Sequence, residues 1–202
     1  MNNIITFLLH FLNFFGNLII IVILHEAGHL LVAKKVGCGV DIYSVGFGKP
    51  LFRKEYKETI YQCTWIPLGG YCKLRDELTN GNDPSAFTNL SYRKKVAIAT
   101  AGCLVNILTG VLIGFIGWRY GIYYLLYFGV ISISLGVTNL IPIIPCLDGG
   151  YVFYIPILNK IYGTEKGTKI FKKINTISFV IIMILNILGL PFMFYWLWIG
   201  RM

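Results

Sequence analysis

The dominant pattern along the chain is a succession of long apolar runs separated by short, polar and basic connections. Four of these runs are long enough to cross a hydrocarbon core of about 30 Å, which takes roughly 20 helical residues. The pattern predicts an all-α polytopic membrane protein with about four transmembrane helices, at 4–36, 96–118, 122–144 and 174–199. Because no linker or internal repeat divides the sequence, we expect a single domain that covers residues 1–202.

Two segments depart from this helical pattern. In residues 39–74, β-branched and aromatic runs at 40–45 and 59–66 flank a middle rich in Gly, Pro and Lys, which is typical of a β-hairpin. The third apolar run ends in TNLIPIIPCLDGG, where Pro142 and Pro145 should interrupt the helix. Since non-helical backbone at membrane depth must be buried in protein or line a wet cavity, we expect one of these environments there.

Composition and charge agree with a membrane protein. The chain is 56% hydrophobic and 13% charged, too apolar for an ordinary soluble domain. Of its 18 Lys and Arg residues, 11 lie in 34–95 and five in 160–173, so the positive-inside rule predicts that these segments are cytoplasmic and that both termini are outside. The net charge of +9 is therefore interpreted as a topology signal and not as a nucleic-acid surface. The five cysteines have no regular spacing, and we expect reduced thiols.

The first apolar run contains the motif HEAGH, which places His25, Glu26 and His29 among lipid-compatible residues. A charge at the bilayer centre costs roughly 2.5–3.5 kcal/mol, so an unpaired solvated face is disfavoured there. Positions i and i+4 share a helix face, and the two imidazoles can bind one metal ion. Glu26 can then reach a water held at that ion.

A catalytic zinc ion needs three protein ligands and one open position. Among the acidic residues, only Glu26 and Asp148 lie at membrane segments, both at the predicted cytoplasmic end, so Asp148 is the expected third ligand. Cys146 is an alternative ligand. Such a site predicts peptide hydrolysis, in which zinc activates a water and Glu26 acts as general base. Asn106 and Asn139 have amide side chains within predicted spans. Each could either form a hydrogen bond between helices or donate a hydrogen bond to the backbone of a substrate.

Several motifs in order along most of the chain resemble the site-2 proteases, and in particular the bacterial regulators of sigma-factor release. The matching stretches are HEAGHLLVAKKVG, YSVGFGKPLF, IPLGGYCKL, AFTNLSYRKKVAIATAGCLVNIL and SISLGVTNLIPIIPCLDGGYVFY. The resemblance implies a membrane-associated β-hairpin on the cytoplasmic side, whose edge can pair with an unwound substrate strand. It also implies site roles: zinc ligands His25, His29 and Asp148, catalytic base Glu26, and substrate or oxyanion placement by Asn106 and Asn139.

The chain departs from the family pattern at identifiable points. The Gly-Pro-x-x-Asn-Phe element is replaced by the sequence GCLVNI, residues 102–107, and the stretch from Asn139 to Asp148 is one residue longer than usual. Only WRYG joins the second and third spans, where the sigma-regulating members insert PDZ domains, and no CBS domain follows the last span. We therefore expect the bare catalytic core.

Taken together, the sequence predicts an intramembrane metalloendopeptidase with one catalytic Zn²⁺. Its expected substrate is a single-span membrane protein or a signal-peptide-like segment, cut near the cytoplasmic face of a bacterial cytoplasmic membrane. A non-catalytic, metal-stabilised binding module is the first alternative, although a purely structural site has no need of Glu26. A metal transporter is the second, and it is disfavoured because the polar groups gather at one end of the spans.

Overall fold

A computed structural model describes residues 2–77 and 83–199 of the chain. Its elements in order are α1 (Asn2–Lys35), β1 (Val40–Tyr56), β2 (Thr59–Leu74), a 3₁₀ turn (Phe87–Asn89), α2 (Tyr92–Tyr120), α3 (Tyr123–Leu140), α4 (Asp148–Tyr162) and α5 (Thr164–Ile199). These elements form two compact units, Met1–Leu140 and Ile141–Met202.

Among the residues that the structure describes, three helices are long and apolar enough to cross a membrane. They are Leu8–Lys35 within α1, the whole of α2 and the whole of α3. The chain is thus mostly helical with three candidate spans, close to the first three apolar runs. The fourth predicted span falls in α5, but its side chains from 189 onward lie outside the described residues, so a total of four spans and their orientation stay predictions.

Two helix ends differ from the predicted ones, each for its own reason. Helix α3 ends at Leu140, four residues before the predicted end of its apolar run. Ile141 precedes Pro142, and the proline ring disfavours helical backbone at the residue before it. Helix α5 begins ten residues earlier than its apolar run, since a helix can extend through a polar segment that hydropathy does not mark.

Glycines allow α2 and α3 to pack closely. A Cβ atom added to Gly129 of α3 would lie 2.5 Å from Gly114 Cα of α2, and one on Gly110 would lie 2.9 Å from the Gly129 carbonyl oxygen. Only a residue without a side chain fits at these points. The glycine-rich second span is therefore a helix-packing surface.

The predicted β-hairpin is present, with strands longer than the sequence pattern indicated. β1 and β2 form an antiparallel pair whose register shifts along its length. Residues 43–45 of β1 pair with 70–72 and also with 61–63, while 52–56 pair with 59–63. The first part of β1 is thus central in the sheet, and within the described residues the segment 70–74 of β2 forms one edge.

Arg75, just after β2, joins the base of this sheet to the loop that precedes α2. Its backbone N–H donates to the Gly39 carbonyl at 2.9 Å, and its own carbonyl accepts from the Phe87 N–H at 2.8 Å. Its guanidinium forms ion pairs with three carboxylates, those of Asp41, Glu58 and Asp83, at 3.2, 3.1 and 3.3 Å. One side chain therefore joins β1, the turn between the two strands and the loop.

The second unit begins with the predicted break. Residues 141–147 are not helical, and α4 begins at Asp148. A Cβ atom added to Gly150 would collide with the Ile144 carbonyl oxygen, and Tyr154 donates a hydrogen bond to the Ile143 carbonyl at 2.9 Å. The glycine and the tyrosine thus hold the non-helical segment against the first turns of α4. Helix α4 itself was not predicted from the sequence.

Replacing Arg75 by alanine should loosen the loop 83–90. Three ion pairs would be lost at once, and a network of pairs contributes more than isolated surface pairs do. We expect hydrogen exchange of the Gly39 and Phe87 amides to become several-fold faster, as measured by mass spectrometry. Lys169→Ala, which removes the exposed Glu165 pair in α5, is the control. If these two amides exchange at the same rate in Arg75→Ala and in wild type, Arg75 does not hold the loop in place.

Candidate metal centre

His25 and His29 lie one turn apart on α1 with their imidazoles facing each other. Both residues are buried, with 8% of their surface exposed. Their ring centroids are 4.8 Å apart at an interplanar angle of 82°, and the two Nε2 atoms are 3.2 Å apart. The i, i+4 spacing therefore places two imidazole nitrogen atoms next to each other inside the protein.

This distance fits a single metal ion. Zinc binds imidazole nitrogen at about 2.0–2.1 Å in tetrahedral geometry, so two nitrogens on the same ion are about 3.3–3.4 Å apart. The observed Nε2 separation of 3.2 Å is close to that value without any movement of the helix. The pair can therefore act as two ligands of one ion.

The second ring nitrogen of each histidine faces α2. His29 Nδ1 lies 2.7 Å from the Ile98 carbonyl oxygen, which can only accept, so Nδ1 carries the proton and the Nε2 lone pair is available. His25 Nδ1 lies 3.2 Å from Asn106 Nδ2. A carbonyl acceptor such as that of Ile98 orients metal-binding imidazoles in proteins.

Two glycines let α1 and α2 approach closely enough for these contacts. A Cβ atom on Gly28 would lie 2.8 Å from the Ala101 carbonyl oxygen, and one on Gly102 would collide with His29 Nε2 and lie 2.9 Å from His25 Cε1. Gly28 and the Ile98 carbonyl were missed in the sequence analysis, and Gly102 was noted there only as part of the GCLVNI element. A small residue on each of two apolar helices is the only sequence signal of such a crossing.

Glu26 points from α1 toward the sheet. It is 9% exposed, and a Cβ atom on Gly70 of β2 would lie 2.9 Å from Glu26 Cγ. Burial, followed by the charge of Glu26, raises the pKa of Tyr43 to about 12 and also raises the pKa of the Cys72 thiol. Both groups are therefore neutral near pH 7, and Glu26 lies beside the sheet edge 70–74.

The remaining predicted residues have definite positions. Asn106 is 1% exposed on α2 and contacts His25 as described. Asn139 is half-buried in the last turn of α3. In the second unit, Asp148 is half-buried as the first residue of α4, and Cys146 is half-buried in the preceding segment. Within the first unit, the structure thus brings together the two histidines and Asn106.

The fold and the site define a helical protein with candidate membrane spans and a buried His-Glu-x-x-His motif on its first helix. The model of peptidase family M50 matches residues 13–122 and 117–185. The chain therefore belongs to peptidase family M50, the site-2 proteases. The resemblance inferred from the motifs is confirmed.

Individual relatives cover parts of the same region. A predicted zinc metalloprotease of Neisseria meningitidis is 38% identical over 141 residues, which are 68% of this chain and 28% of that protein. One from Campylobacter jejuni is 39% identical over 93 residues, 44% of this chain and 25% of that protein. The regulator of sigma-E protease RseP of Escherichia coli is 38% identical over 107 residues, 50% of this chain and 24% of that protein. The matched part spans about a quarter of the length of these relatives.

Gly102→Ala should weaken metal binding sharply. The new methyl group would overlap His29 Nε2. The His29 ring would have to move, and the two Nε2 atoms could no longer bind the same metal ion. We expect the zinc dissociation constant, measured by competition with a chromophoric chelator on purified protein, to rise about tenfold or more. Gly16→Ala on α1, where an added Cβ meets nothing within 4 Å, is the control. Unchanged zinc affinity in Gly102→Ala would show that the ion is bound elsewhere.

Proposed function

We propose that this chain is an intramembrane zinc metalloprotease that hydrolyses a peptide bond within a transmembrane or signal-peptide-like segment of another membrane protein. The observation that carries the proposal is the buried pair of imidazoles with Nε2 atoms 3.2 Å apart, next to the carboxylate of Glu26 on the same helix. Membership of the M50 peptidases and the names of relatives as zinc metalloproteases support it.

We infer that His25, His29 and Asp148 hold the zinc ion. Two imidazole nitrogens and one carboxylate oxygen form a common ligand set of catalytic zinc, and three ligands leave one position open. The spacing of the two Nε2 atoms supports both histidines, and the Ile98 carbonyl at His29 Nδ1 supports ligation by His29 Nε2. The position of Asp148 at the start of α4, directly after the proline-broken segment, supports a carboxylate at the end of the third apolar run.

Bound zinc would supply Lewis acidity, which polarises a carbonyl and acidifies water. Glu26 takes the proton from the attacking water as general base and then passes it to the leaving amine as general acid. Its burial beside Gly70 restricts the carboxylate to few orientations. A side chain that must move one proton twice benefits from such restriction.

The sheet edge 70–74 next to Glu26 is suited to present the substrate. In a helical substrate, each carbonyl is engaged in the i to i−4 hydrogen-bond ladder, so the scissile bond must first be unwound. An extended strand added to the 70–74 edge would have its backbone groups paired again. Asn139 and Asn106 are further candidates for substrate contacts, as the family resemblance implies.

We further propose a bacterial cytoplasmic membrane location, with the active site near the cytoplasmic face and the termini outside. The concentration of Lys and Arg in 34–95 and 160–173 supports this orientation. The expected substrate is then a single-span protein that is cut near the cytoplasmic end of its span.

Glu26→Gln should abolish cleavage while the protein still binds zinc. The amide keeps the size of the side chain but cannot take up a proton, so the rate should fall about 100-fold or more. Cleavage of a single-span reporter in proteoliposomes is followed by gel and mass spectrometry. Glu55→Gln, at an exposed position of β1, is the matched control. Persistent cleavage by Glu26→Gln would remove this residue from the mechanism.

Asp148→Asn should weaken zinc retention. A neutral amide is a poorer ligand than a carboxylate, and we expect a dissociation constant about tenfold higher or more in the chelator competition. Glu165→Gln, at an exposed position of α5, is the control for loss of one acidic group. If the affinity of Asp148→Asn equals that of wild type, the third ligand lies elsewhere, and Cys146→Ser is the next variant to measure.

A further inference from the structure

Asn106 holds an unusual polar position in the middle of α2. The residue is 1% exposed, its Nδ2 lies 3.2 Å from His25 Nδ1, and its Oδ1 is buried without a hydrogen-bond partner. A buried amide oxygen without a donor is costly, and natural proteins rarely keep one without a reason. The environment of Asn106 therefore requires an explanation beyond helix packing.

The hydrogen-bond pattern in this arrangement assigns the protons. Asn106 Nδ2 is a donor only, so His25 Nδ1 must accept, and the His25 proton is on Nε2. His25 Nε2 then donates to His29 Nε2 at 3.2 Å, while His29 Nδ1 donates to the Ile98 carbonyl. In this tautomer His25 has no Nε2 lone pair to offer to a metal ion.

Ligation by His25 Nε2 needs the other tautomer. The proton must then sit on Nδ1, where it requires an acceptor. A half-turn of the Asn106 amide exchanges its two terminal atoms and brings Oδ1, the atom without a partner, onto His25 Nδ1. His25 would then match His29, whose Nδ1 already donates to a carbonyl oxygen.

Helix α3 fixes the place of Asn106 through its backbone and Cβ. The Ser132 hydroxyl, which is fully buried, donates to the Asn106 backbone carbonyl at 2.8 Å. A Cβ atom on Gly136 would lie 3.2 Å from Asn106 Cβ, so α3 packs directly on the base of the side chain. These contacts hold the backbone and Cβ, and neither engages the terminal amide.

We propose that Asn106 is a positioning residue: its amide oxygen accepts a hydrogen bond from His25 Nδ1 and thereby selects the tautomer in which Nε2 binds the metal ion. The inference rests on the proposed function, since it requires His25 to be a ligand. It differs from a role in substrate placement because the partner of the amide is a ligand of the ion.

Two isosteric variants test the direction of this hydrogen bond. Asn106→Asp keeps an acceptor for His25 Nδ1, and we expect its zinc dissociation constant to stay within about threefold of wild type or to become lower. Asn106→Leu keeps the size but has no acceptor, and its dissociation constant should rise about 10- to 100-fold. Asn17→Leu, which removes an amide bonded to Asn13 on α1, is the control. All are measured as full-length protein in detergent, with thermal unfolding as the test of folding.

Three results would overturn the proposal. They are unchanged zinc affinity in folded Asn106→Leu, weakened affinity in both folded variants, and weakened affinity in Asn106→Asp alone. His25→Ala separates this inference from the proposed function. If His25→Ala binds zinc as wild type does, the proposed site itself is wrong; if it loses zinc while Asn106→Leu keeps it, only the role of Asn106 is wrong.

A spectroscopic measurement covers the case in which Asn106→Asp fails to fold. The chain has three histidines, so a His10→Gln background leaves only the two site imidazoles for ¹⁵N NMR. In the zinc-loaded protein we expect both to carry their proton on Nδ1, and Asn106→Leu should shift the Nδ1 signal of His25 and leave that of His29. A zinc-loaded protein with His25 protonated on Nε2 would overturn the proposal.

Discussion

The close crossing of α1 and α2 at Gly28 and Gly102 is the constraint on which the site depends. Because neither glycine has a side chain, the two helices can pack closely enough for α2 to contact both imidazoles of α1. One ring then meets the Ile98 carbonyl and the other meets the Asn106 amide. The glycine contacts between α2 and α3 extend the same close packing, so the three apolar helices form one support for a polar centre.

Around this support, the polar side chains of α1 point in two directions. The two Nε2 atoms point to one place, and Glu26 points from the same helix to the sheet edge at Gly70. In the proposed enzyme, this separates the groups that hold the metal from the group that moves protons, and it places the latter beside the strand edge offered to a substrate. Burial of all three α1 side chains is tolerable because each has a defined partner or role.

The sequence predicted the elements well where the local pattern is strong. The long apolar runs correspond to α1, α2 and α3, the β-branched and aromatic runs lie in β1 and β2, and Pro142 and Pro145 lie in a non-helical segment. Helix α4 was missed because glycines near its start and Pro156 inside it weaken the local helical signal. The early start of α5 was missed because its first turns are polar, and hydropathy marks only the apolar part of a helix.

By itself, the sequence determined the protein family and the position of His25 and His29 on one face of the first helix, since hydropathy, family motifs and the i, i+4 spacing are local properties. Only the tertiary structure decided which atoms face those imidazoles. The contact at Ile98 is made by a backbone carbonyl. Every residue has such a group, so no sequence pattern can predict which carbonyl faces the imidazole. The Asn106 contact spans 81 positions and depends on how closely two helices cross, which is decided by packing along their whole length.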